Sequence, residues 1–491
     1  MREERFIFSV SHVESNNPQL PSASPSLLSE TKEQISLKQA IKDLALDTLP
    51  TFCYYGSTVL INAFNLYFAG LSGDPDLTSA VGLSNTWVSA TSIYLIIGLN
   101  IGNSAICSQA VGAKQYYLAG LALHRALITR LLIAIATYPL LFFSEDIFRL
   151  FGVEDNIAKD AGLLCKLQFG VVLSYVFYDT LKSLLMAYNL YTPFIFIQIA
   201  GTAAHWGFLV LFINRLDLGI VGFCAALTSS YCLMLVLLLA YILIKKPCKE
   251  SLFCFTGKSF KHLFSQIKQE VPIGAVIYLD FAAFEVAVLF SGSYPPVELA
   301  SQILMYNVMV IMTLFPLSLN TVLTTYLGNA IGENNVKRTR TYIKAGIILG
   351  IVFIVVEAPS LFFLSDDFAR IFTSDQQVID ITRGIEKIYS IVTIADFTQL
   401  IMTSILRGIG KEALSCIIFA TGYYLLGLPL AFVLGNVRKG YARGLWYGII
   451  TGIVFNGIVT TIAVCRVDVH KQATIIARRI EENKEKLSIV E

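Results

Sequence analysis

An all-α integral membrane protein with twelve spans in two six-helix halves is the fold class that three observations predict. Apolar residues fill 55% of the 491 positions and charged residues 15%, well below the roughly 25% charged of soluble domains. The charges are segregated, with long runs carrying almost none and the loops holding nearly all. Short landmarks also recur at one fixed separation along the chain.

Runs of about 20 apolar residues are long enough to cross a bilayer as helices. Such runs lie at 48–71, 78–107, 118–143, 162–187, 192–214 and 218–244, and again at 270–292, 299–330, 341–364, 382–406, 413–436 and 441–465. Ahead of them, "SVSHVESNNPQLPSASPSLLSETKEQ" is rich in Ser, Asn and Pro. Residues 1–45 are therefore expected to be a disordered tail. No small-residue cleavage pattern follows a long apolar stretch there, so the first span directs insertion. The expected units are an N-lobe over 46–244, a linker over 245–269, a C-lobe over 270–465 and a tail over 466–491.

Lysine and arginine bias sets the orientation. The segment between spans six and seven carries six Lys against two Glu, and "GENNVKRTRTYIK" and the C-terminal tail are also basic. The loops "LSGDPDL", "FSEDIFRLFGVEDNIAKD" and "LSDDFARIFTSDQQVID" are acidic. The two sets fall on opposite sides, with both termini cytosolic.

The repeat pairs "SQAVGAK" (108–114) with "GNAIGEN" (328–334), and "FSEDIFRLF" (143–151) with "LSDDFARIF" (364–372). Pro50 pairs with Pro272 and Gly222 with Gly444, every separation lying between 220 and 222 residues. Each half holds an even number of spans, so the halves share one orientation, related by an axis along the membrane normal.

Several function classes are excluded. A net charge of +2 gives no reason to expect a nucleic-acid partner. Nine cysteines without a CxxC pair suggest neither a disulfide framework nor a metal site. "TGKSF" (256–260) has Leu252 where a phosphate loop requires its first glycine. No nucleotide-binding domain, cofactor site or enzyme constellation is expected, so any transport is expected to run on an ion gradient.

Charges inside the spans are the functional candidates. Asp280 and Glu285 interrupt "VPIGAVIYLDFAAFEVAVLFSG" (271–292). A charge at that depth costs about 2.5–3.5 kcal/mol on insertion scales. Five residues are about 140° of helix rotation, so the two acids cannot point the same way. Asp179 and Lys182, three apart, are read as an ion pair. Glu357 stands just before Pro359, placed to satisfy backbone freed by the kink. His205 is read as a hydrogen-bonded packing residue.

The chain resembles the multidrug and toxic compound extrusion (MATE) family in its eukaryotic style. The likeness covers roughly residues 45 to 465. It rests on "ICSQAVGAKQYYLAGLALHRAL" (106–127), "PLSLNTVLTTYLGNAIGENN" (316–335), "DFTQLIMTSILRGIGKE" (396–412) and "GLWYGI" (444–449). The resemblance implies two six-helix lobes in a V around a central cavity. It also implies export of organic cations or other amphiphiles in exchange for protons or sodium ions. Asp280 stands eight after Pro272, Glu285 five further on, and Asp396 eleven before Arg407–Gly408, as the family's acids do. By resemblance these three bind the coupling ion and compete for substrate.

Departures put the substrate range outside what can be carried over. Phe281 and Ala282 stand where the family has tryptophans, and Asn307 where some animal members have an acid. Aromatic faces attract a desolvated cation, which makes Tyr278, Phe281 and Phe284 cavity candidates beside the acids. Tyr389, seven before Asp396 on the same face, is expected to hydrogen-bond it. Tyr54, Tyr55, Trp87 and Asn85 are candidates for the opposite wall. A monomer in the plasma membrane or a vacuolar or other endomembrane is expected. The rival reading, a lipid-linked oligosaccharide flippase of the same superfamily, calls for a cavity lined with several cations.

Overall fold

The computed structural model describes residues 35–488, side chains at 371–372 and 485–488 aside. Residues 1–34 of the expected disordered tail lie outside the described residues, and 37–45, expected to be disordered, are helical. Twelve long helices follow: α1 (Leu37–Leu71), α2 (Pro75–Gly112), α3 (Tyr116–Phe142), α4 (Asp155–Ala187), α5 (Thr192–Arg215), α6 (Ile220–Lys245), α7 (Leu263–Ser291), α8 (Pro296–Gly332), α9 (Val336–Phe363), α10 (Gln376–Gly408), α11 (Glu412–Val437) and α12 (Tyr441–Arg466). A thirteenth, α13 (Val469–Ser488), follows them. No strand occurs among the described residues.

Eleven of the twelve are apolar enough over 18 residues to read directly as membrane spans. The other is α1, whose opening turns "LKQAIKDLALD" are polar. It starts at a Ser36 cap, the Ser36 hydroxyl accepting from Gln39 N at 3.2 Å, so the helix reaches back past residue 45.

The repeat is written into the backbone. Non-helical left-handed residues recur in register: Lys114 with Asn334, Asn189 with Gly410, Asp217 with Lys439 and Gly219 with Tyr441, all at positive φ. One difference has a local cause. Helix α2 has 38 residues and α8 has 37. The π-helical turn Ser89–Ile93 takes up the extra residue, which is how such turns accommodate a single insertion.

Helices α2 and α8 cross at the centre, with α2 packed on α7 and α1 on α8. The crossing is reciprocal. A Cβ added at Gly112 would meet Asn329 O at 2.1 Å, and one at Gly332 would meet Gln109 O at 2.1 Å. These two contacts exchange under the repeat, as a pseudo-two-fold interface requires. Gly98 and Gly274 bring α2 and α7 equally close, a Cβ at Gly98 falling 2.5 Å from Gly274 O.

A buried ion pair also ties the lobes. The Arg130 guanidinium of α3 donates to the Glu270 carboxylate of α7, both side chains essentially without exposure. Arg130 also donates to Asn100 Oδ1 at 3.1 Å and to Leu99 O on α2. Gln266 completes the cluster by donating to Glu270 Oε1 at 2.6 Å and Ala122 O at 2.8 Å. The segment between the lobes is itself packed on α3: Phe253 stacks on Tyr117 and Phe255 on His124, at 4.7 and 4.2 Å between ring centroids. "TGKSF" is a short capped helix there, with Ser259 buried against His124 at 3.0 Å.

Candidate functional site

Helix α10 carries the centre of the site. Asp396 is buried, and its two oxygens accept from the Tyr389 hydroxyl and from Gln399 Nε2, each at 2.7 Å. Tyr389 is seven residues earlier and Gln399 three later, so all three lie on one helical face. Gln399 Nε2 also donates to the Tyr423 hydroxyl at 3.0 Å, and that hydroxyl in turn interacts with the Asp280 carboxyl of α7. Tyr423 sits in the π-helical turn Thr421–Gly427 of α11. A chain of polar groups from α10, α11 and α7 therefore joins Asp396 to Asp280.

Arg407 is fully buried at the other end of this cluster. It donates to Asn320 Oδ1 of α8 and lies within electrostatic reach of Asp280. Neither acid forms a salt bridge among the described residues.

Glu285 points elsewhere. It accepts from the Tyr306 hydroxyl of α8 at 3.3 Å and lies near Tyr94 of α2. Phe281, one turn earlier, stacks on Tyr94 with ring centroids 4.8 Å apart and planes 13° off parallel. Tyr278 lies beside Tyr424 of α11. Asn85 is bound by Gln168 Nε2 at 3.1 Å, within the N-lobe. Asn307 sits on an exposed stripe with Ile303 and Ile311. Asp280, Asp396 and Tyr389 are thus brought together, Glu285 and Phe281 form the edge toward α2, and Asn85 and Asn307 stand apart.

Glu357 is a neighbour that the sequence placed differently. It is buried on α9 within electrostatic reach of Asp396 and Tyr389. Its Oε2 has no hydrogen-bond partner among the described residues, so the backbone at the Pro359 kink does not claim that oxygen.

The N-lobe holds the opposite kind of polar centre. Asp179 and Lys182 pair on α4. Asp179 also accepts from Asn100 Nδ2 at 2.7 Å and the Tyr54 hydroxyl at 3.1 Å. The Lys182 ammonium lies 3.4 Å from the Tyr54 ring centroid, a cation–π contact. A small pocket opens on this pair, lined also by Tyr55 and by Thr321 of α8. Asp280, Glu285 and Asp396 do not line it. His205 is fully buried between Ser230 and Asn65, at 3.0 and 3.2 Å, a packing role.

Helices α4 and α10 correspond at a separation of 221 residues, Asp155 to Gln376 and Ala187 to Gly408. Tyr175 therefore takes the place of Asp396, and Leu400 that of Asp179. Removing one partner of a buried pair costs about 3–5 kcal/mol because the other is left uncompensated. We expect Lys182→Met to lower thermal stability by that amount, and Asp179→Leu/Lys182→Met to recover most of it, measured by melting of the purified protein.

Comparisons with known proteins agree with this architecture. A family model described as MatE matches residues 51–211 and again 272–433. Protein DETOXIFICATION 14 of Arabidopsis thaliana is 25% identical over 470 residues, covering 94% of this chain and 97% of the relative. Multidrug and toxin extrusion protein 1 of Homo sapiens is 24% identical over 424 residues, 86% of this chain and 74% of the relative. The crystal structure of the eukaryotic MATE transporter AtDTX14 superposes with a TM-score of 0.86 at 22% identity, covering 90% of this chain and 99% of that one.

Proposed function

This chain belongs to the multidrug and toxic compound extrusion family of transporters, and from that premise we propose that it is a secondary antiporter. It exports organic cations or other amphiphiles in exchange for protons or sodium ions, by alternating access. Asp280 and Asp396 form the coupling site, and Glu285 contacts substrate or tunes that site.

The observation that carries the reading is the asymmetry between the lobes. Asp179 has a permanent counter-ion in Lys182. Asp280 and Asp396 are held together through Tyr423 and Gln399, without a salt bridge among the described residues. A buried carboxyl is tolerated either as the neutral acid or beside a cation. Proton and organic cation are then competing ligands of one site, and such mutual exclusion couples their movements reciprocally. Each pH unit of gradient supplies about 1.4 kcal/mol per proton. Tyr278, and the Phe281 face toward Tyr94, supply an aromatic edge on which a cation rests.

Proteoliposomes with an imposed pH or sodium gradient test the function. Uptake of a probe cation such as tetraethylammonium against its own gradient, stopped by collapsing the pH difference, is the expected result. Gradient-independent equilibration would contradict antiport.

A further inference from the structure

Ten residues before Asp396, helix α10 carries a second acid that the coupling site does not use. Glu386 is 0% exposed, and neither carboxyl oxygen has a hydrogen-bond partner among the described residues. An ionised carboxylate in such a place costs far more than the fold can spare, so the group is tolerated as the neutral acid.

Its position is ordered. At 100° per residue, Thr382, Glu386, Tyr389, Thr393 and Asp396 fall within an arc of about 80° on one face of α10, and each of them is buried. The column spans about 15 Å of helix axis between Glu386 and Asp396. The Tyr389 hydroxyl already donates to Asp396 at 2.7 Å. At the other end Glu386 lies within electrostatic reach of Asp366, a half-exposed residue of the short helix Ser365–Phe372. Asp366 accepts from Arg383 of α10 at 3.3 Å. The same face of α4 shows what packing alone requires. There the equivalents of Thr382, Glu386, Tyr389 and Asp396 are Ala161, Cys165, Gln168 and Tyr175, with no acid among them.

We propose that Glu386 is a proton-carrying station between Asp396 and the end of α10 where Asp366 meets solvent. The proposal rests on reading Asp396 as an ion-exchanging residue. A proton leaving Asp396, which the Tyr389 hydroxyl bonds at the inner end of the column, is carried by water to Glu386 and from there to Asp366, since no hydrogen bond joins Glu386 directly to Tyr389, Thr393 or Asp366. Each transfer breaks one O–H bond and makes another, and no electron moves. Other charged groups on the elements around Glu386 are Asp380, Arg383 and Lys387 on α10, Asp367 and Arg370 on the short helix, Glu357 on α9, Glu298 on α8, and Arg443 on α12, which lies against Gly384. None of them hydrogen-bonds it.

Full-length protein in proteoliposomes, carrying Glu386→Gln or Glu386→Asp, tests the proposal with two assays. Glutamine matches the neutral acid in shape and so preserves packing. We expect Glu386→Gln to slow proton-driven tetraethylammonium uptake by about a hundredfold or more, the scale of a proton-transfer group. Exchange of labelled for unlabelled tetraethylammonium at equal pH, which moves no net proton, stays at the wild-type rate. Glu386→Asp retains part of the driven uptake. Wild-type driven uptake in Glu386→Gln overturns the proposal. So does a loss of exchange in step with driven uptake, which marks a packing role. Asp396→Asn is measured alongside: if it keeps driven uptake, the coupling site itself is wrong and this inference falls with it, whatever Glu386→Gln does.

Discussion

Replacing Asp280 or Asp396 by asparagine is expected to uncouple the transporter. In the gradient-driven assay each variant loses uptake by about 5- to 150-fold, the range that a coupling free energy of 1–3 kcal/mol spans. Asparagine keeps the shape of the neutral acid, with one donor group and one acceptor in place of two accepting oxygens, but cannot exchange a proton. The fold therefore survives, and melting of the purified variants stays near that of the wild type. The two substitutions also combine less than additively, because Asp280 and Asp396 act through one network via Tyr423 and Gln399. Glu285→Gln has the smaller effect, since Glu285 faces Tyr306 and Tyr94 outside that network. Equal losses in all three variants would contradict the division of roles.

Glu270→Gln is expected to be the most damaging substitution for stability. The Arg130–Glu270 pair is wholly buried at the junction of the lobes, and Gln266, Asn100 and Leu99 satisfy its remaining polar atoms. Removing the negative charge leaves the Arg130 guanidinium uncompensated, at a cost of about 3–5 kcal/mol. Glu270→Asp, one methylene shorter, keeps the charge and recovers part of it. Thermal melting of the purified protein checks both. Unchanged melting for Glu270→Gln would mean that the Gly98–Gly274 and Gly112–Asn329 contacts hold the lobes together unaided.

The two lobes show how one fold was put to two uses. Asn100 and Asn320 hold equivalent places on α2 and α8, each accepting from a buried arginine. Asn100 donates to Asp179, whereas Asn320 donates to the backbone of Leu400, the residue that replaces Asp179. Tyr175 stands where the C-lobe has Asp396, and it bonds Tyr54 at 3.1 Å. The N-lobe centre is thus a self-neutralised pair, and the C-lobe centre is a pair of acids. On the proposed reading, coupling belongs to the C-lobe for that reason.

Local spacing made part of this arrangement legible in the sequence. Span lengths, the repeat, and pairs one or two turns apart, such as Asp179 with Lys182 and Tyr389 with Asp396, follow from helix periodicity. Gln399, three residues after Asp396, was equally open to that argument and was missed. Arg130 carried a signal too, a charge inside "LITRLLIA" that needs a partner at that depth. Its partner Glu270 lies 140 residues away, and no local pattern supplies such a pairing. Tyr423 was hidden for another reason: it lies in a π-helical turn, where α-helical spacing no longer says which face a residue occupies. Asn307 shows the limit of polarity as a guide. Its helix is apolar on nearly every side, so the sequence did not reveal that it shares an exposed stripe with Ile303 and Ile311.

Proton release on cation binding tests the central claim most directly. Purified protein in weakly buffered detergent is mixed with a saturating organic cation, and the pH change is recorded. If cation and proton compete for Asp280 and Asp396, the wild type releases protons on binding, and Asp280→Asn and Asp396→Asn release fewer. Release that is the same in the wild type and both variants, or cation binding with no proton release in the wild type, would contradict the account.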